Sequence, residues 1–67
     1  MLDAASATLY VMARAKVLEA MGELDLIANL QRKAADSGTY AQDAATLLRN
    51  SANDCVIARA ACEKALK

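Results

Sequence analysis

Sixty-seven residues make one small domain at most, and a chain of that length buries only about 60% of its unfolded surface. Eight Lys plus Arg balance eight Asp plus Glu, and two tyrosines are the only aromatics, which argues against both electrostatic and base-stacking nucleic-acid binding. Two cysteines without a histidine make no zinc set, and the longest apolar run, Leu9 to Ala13, is far short of the ~20 residues of a membrane span.

Absence of proline and abundant alanine favour helix throughout. Asp3 stands as the first N-cap, just ahead of Ala4 and Ala5, with Ser6 as the alternative. With an acid at Asp3 and no basic stretch, the N-terminus does not read as a signal peptide. The first helical pattern runs from about residue 3 to residue 36. Ala13, Val17, Ala20, Leu24, Ile27 and Ala34 alternate spacings of four and three, interrupted by Gln31, which is a coiled-coil seam. Arg32 and Lys33 suit the helix's negative pole, and Arg32 is placed to pair with Asp36.

The stretch Asp36 to Gln42 carries the only break signal. Gly38 ends the first helix, because without a Cβ it takes the left-handed conformation at little cost. Thr39 is then expected to cap the next helix, with Gln42 reaching back to it. One stop and one start this close, in a turn of residues 37–39, predict a tight helical hairpin.

The second helix is expected over about 40–66. Its seam takes Ala41, Ala44, Leu48, Ser51, Cys55, Ala58, Cys62 and Ala65, nearly all small, so the two backbones can approach closely. Asp43 in the first turn and Lys64 and Lys67 at the end match the helix dipole, and Arg59 with Glu63 forms an i,i+4 pair. Cys55 and Cys62 are seven apart, about 10.5 Å along a helix, and a disulfide needs Cα atoms within about 7 Å. They read as free thiols packed as small hydrophobes, which fits a cytoplasmic chain. The fold class is therefore all-α, an antiparallel two-helix coiled-coil hairpin in a single domain. Cores this small rarely stand alone below about 70–80 residues without a staple, which leaves oligomerisation or a hetero-partner to complete this one.

A second apolar stripe carries the functional information. Val11, Ala15, Leu18, Gly22 and Leu26 recur on the side of the first helix away from the seam, with Arg14, Lys16, Glu19, Glu23 and Asp25 between the two stripes. A helix with one neighbour needs one stripe. Leu47 and Ile57, with Ala61, form a weaker outer set on the second helix. Scattered surface leucines are the ordinary alternative; the regular spacing and the mid-helix Gly22 favour a partner-binding face. Tyr10 and Tyr40 are expected to pack near the two ends of the hairpin, with the hydroxyl reaching water. No nucleophile with its base, phosphate loop or cofactor motif is recognisable, so catalysis and cofactors are not expected.

The segment Ser37-Gly38-Thr39-Tyr40-Ala41-Gln42, with the leucine- and lysine-bearing stretch Leu24 to Lys33, resembles the YscE-like co-chaperones of type III secretion needle subunits. Those proteins show a glycine turn followed by a Gln-Tyr-Gln-like segment. The likeness covers about half the chain, and this sequence departs from it in Tyr-Ala-Gln and in an alanine- and cysteine-rich second helix. The resemblance implies a heterodimer with a helical-repeat chaperone that keeps a needle subunit monomeric in the cytoplasm. The alternative is a homodimeric four-helix bundle with a structural or regulatory role, an architecture shared with the plasmid regulator Rop by analogy of fold alone.

Overall fold

A computed structural model describes residues 3–67. Two helices account for nearly all of them: α1, Ala4–Asp36, of 33 residues, and α2, Gln42–Ala65, of 24 residues. Asp25 meets Arg59, Gln31 meets Ser51, and Asp36 meets Arg49, so the helices run antiparallel. The chain is an all-α hairpin, a rod of 54 × 15 × 13 Å.

Asp3 starts α1 as expected. It sits in extended backbone, and its carboxylate accepts the Ser6 backbone N–H at 2.7 Å, satisfying one of the donors a helix start leaves open. That bond, joined by the Ser6 hydroxyl, holds the Asp3 carboxyl below the usual aspartate range. At the other end, Ser37 caps α1 and Gly38 follows with φ of 76°, the left-handed geometry expected of it.

The start of the second helix differs from expectation. Thr39 caps nothing and Gln42 is the first helical residue, so the turn covers 37–41. The N-cap position falls on Ala41, which has no side-chain oxygen to offer. The Ser37 hydroxyl explains the change. It donates to the Ala34 carbonyl at 2.6 Å and receives the Thr39 N–H at 3.3 Å, holding Thr39 in the turn.

The seam is real, but half its positions are displaced by one residue. Met21, Ala28 and Ala35 are the buried residues of α1, and Ala45 and Ala52 those of α2. Val17, Leu24 and Gln31 on α1, and Leu48, Cys55 and Cys62 on α2, are half-buried where the spacing placed them. Ala13, Ala20 and Ile27, and likewise Ala41, Ala58 and Ala65, are exposed instead. Ala28 and Ala35 on α1, and Ala45 and Ala52 on α2, are each seven residues apart on the buried face. A methyl group fits between tightly packed helices; the branched Ile27 does not, and it turns outward at 42% exposure.

Polar groups tie the rod along its length. The Gln31 amide donates to the Ser51 hydroxyl at 2.7 Å inside the seam, and the Cys55 thiol faces the Gln31 oxygen at 4.0 Å. Arg59 bonds Asp25 at 2.9 Å and Glu63 at 3.1 Å, the second being the expected i,i+4 pair. These contacts keep the Arg59 guanidinium charged, raising it further above the working range, with Asp25 the larger influence. Asp36 pairs with Arg49 across the turn at 2.9 Å, not with Arg32. The cross-helix partner approaches from α2 while Arg32 stays in solvent.

Candidate interaction surface

The interior of the hairpin is thin. Its buried residues are one methionine and four alanines, and no large side chain is fully buried among the described residues. Apolar bulk lies outside. Val11, Leu18 and Leu26 of the outer α1 stripe are 64%, 46% and 58% exposed, and Ala15 and Gly22 between them are also in solvent. A Cβ built on Gly22 would meet nothing within 4 Å, so the glycine leaves a shallow notch in the stripe. At 3.6 residues per turn these five positions share one face of α1, roughly 140° around the helix from the seam.

Leu47 and Ile57 are exposed too, but they lie about 80° apart around α2 and form no stripe of their own. Ile57 points directly away from α1, and Leu47 lies on a flank. The coherent face is therefore on α1.

Length mismatch adds a part that periodicity did not single out. The 33-residue helix outruns the 24-residue one at the end away from Gly38. Leu9, Tyr10, Val11 and Met12 there are all more than half exposed. Both the run and the overhang were visible in the sequence; the exposure of these side chains is what the structure adds. Leu30 and the displaced Ile27 are exposed as well, but on another side of α1, about 80° and 140° around the helix from the stripe. Tyr10, expected to pack, instead borders an open cleft of about 160 Å³ with Val17 and Leu66, and Tyr40 stands half in solvent. The cleft offers Arg14 as its one charged group and otherwise suits an apolar side chain.

Among the described residues no group of three His, Cys, Asp or Glu could hold a metal ion. Cys55 and Cys62 are free and half-buried in the seam. No helix of the described chain is long and apolar enough to cross a membrane. No protein-family model, curated protein or solved structure matches the chain.

Proposed function

We propose that this chain is a helical protein-interaction module, a non-catalytic hairpin that completes its core against a helical partner. One observation carries the reading: the outer stripe Val11, Ala15, Leu18, Gly22 and Leu26 is regular, apolar and wet along its whole length. Burying a Val or Leu is worth about 1.5–3 kcal/mol, so several regularly placed on one side of a helix favour a partner that covers them. An amphipathic helix presenting its own i, i+3, i+4 stripe has the complementary shape. The YscE-like resemblance in the turn gives this partner a class, a helical-repeat chaperone acting in the cytoplasm on a type III secretion needle subunit.

The test is co-expression with a helical-repeat chaperone and needle subunit of a type III system, followed by co-purification. Leu18→Asp and Gly22→Glu should each abolish association while circular dichroism shows the helicity retained. Undiminished association in both variants would remove the stripe from the binding reaction.

A further inference from the structure

We propose that the outer face of α1 packs against the same face of a second copy of this chain, antiparallel, about a two-fold axis beside Glu19 and Ala20. The product is a layer of four helices, the two α1 helices at its centre and an α2 on each outer side. This rests on reading the stripe as a contact face and takes a second copy, in place of the chaperone, as its occupant.

Area points to a partner of this size. The hairpin exposes 5191 Å², whereas a compact monomer of 7.1 kDa exposes about 4,100 Å². The excess of roughly 1,100 Å² compares with the ~800 Å² that each side of a stable interface contributes. Its radius of gyration, 16.4 Å, likewise exceeds the ~11 Å of a compact domain of this length.

Charge selects the copy and its direction. Arg14 and Lys16 precede the proposed axis by the same two intervals at which Asp25 and Glu23 follow it. An antiparallel pairing sets Arg14 opposite Asp25 of the second copy on one flank of the stripe, and Lys16 opposite its Glu23 on the other. A parallel pairing would bring opposite flanks together and set like charges side by side, Arg14 with Lys16 and Asp25 with Glu23. Neither Arg14 nor Glu23 has an ion-pair partner within the described chain, and Asp25, already bonded to Arg59, would gain a second cation. The two Glu19 carboxylates approach one another near the axis; each is compensated by its own Lys16 at 3.3 Å.

Shape agrees with charge. The axis falls at the midpoint of Ala4–Asp36, so α1 overlaps its copy along nearly its full length. Leu18 then lies over the notch at Gly22 of the second copy, where nothing stands within 4 Å of a Cβ position. Part of the unmatched end of α1 is covered at the same time: Val11 comes beside Leu26 of the other chain, both exposed in the single hairpin.

Sedimentation equilibrium of the purified full chain, from micromolar to near-millimolar concentration, should give twice 7.1 kDa. Lys16→Glu and Glu23→Lys should each weaken the dimer about tenfold, because the two-fold axis repeats every clash. The double variant should restore wild-type association, with helicity by circular dichroism as the folding control. A wild-type monomer throughout the range, or singles that dimerise as the wild type does, or a double variant no better than the singles, would each overturn the pairing. A monomer that still binds a foreign helical protein through Leu18 would overturn this pairing alone and leave the interaction-module reading standing.

Discussion

The Gln31 side-chain amide reaches the Ser51 hydroxyl across the seam at 2.7 Å, with both residues half-buried. A polar pair among alanines and leucines fixes which turn of one helix faces which turn of the other, since any slip leaves a half-buried amide without its partner. Ser51→Ala should therefore destabilise the hairpin by about 1 kcal/mol in urea unfolding. The double variant Gln31→Leu, Ser51→Ala, which removes both polar groups, should recover most of that loss. If it is as unstable as Ser51→Ala, the amide was not the strained partner.

Ala52 has 0% of its surface exposed, and no other described residue is as enclosed. Ala52→Leu should force the helices apart and cost about 1–3 kcal/mol. Leu47→Ala, on an exposed flank, should stay within about 0.5 kcal/mol. Thermal melts of the two variants, compared with circular dichroism as the probe, distinguish the inner face from the outer. Equal effects would mean the helices pack on other residues.

The two glycines should respond with opposite signs. Gly38 sits at φ of 76°, where a Cβ is strained, so Gly38→Ala should cost about 1–2 kcal/mol. Gly22 is mid-helix with open space around it, so Gly22→Ala should raise intrinsic helix stability by up to about 1 kcal/mol. Unfolding of both variants at the same low protein concentration reads the intrinsic terms.

Asp3 gives α1 a local pH response. Its carboxyl is held below the ordinary value by the Ser6 backbone N–H and then the Ser6 hydroxyl. The cap therefore contributes above the ordinary aspartate value and is lost as pH falls through the lowered one. The Ser6 amide, followed by NMR or hydrogen exchange, should lose protection on acidification while amides near Gly38 hold theirs. Asp3→Ala should abolish that local response; an unchanged titration at Ser6 would assign it to another group.

The helical hairpin was readable because its signals were local and strong: Asp3 before an alanine run, Gly38 between two periodic stretches, and no proline. The register was half readable. Val17, Leu24 and Gln31 fall where heptad spacing puts them, but a pattern reading prefers Ile27 to Ala28 because isoleucine is the more apolar. Close packing prefers the methyl group, a preference set by the distance between helices and invisible in either helix alone. Thr39 was misread for a similar reason, since the Ser37 hydroxyl engages its N–H first. The outer stripe of α1 was legible as a pattern, and so was the overhang, since a helix over about 3–36 outruns one over about 40–66; the exposure of Leu9 to Met12 on it took the structure.

Ala28, Ala35, Ala45 and Ala52 all lie in the half of the helix overlap nearest Gly38, and of the buried residues only Met21 stands toward its open end. The two strands of backbone are thus riveted at the covalent join and slack at the opposite tip, where Tyr10 and Leu66 merely border a cleft. Thermal opening should run like a zip fastener from that tip inward, stepwise past Arg59 and then Gln31. Anything that clamps the tip, whatever its chemistry, would stiffen the entire rod by closing the end from which it unzips.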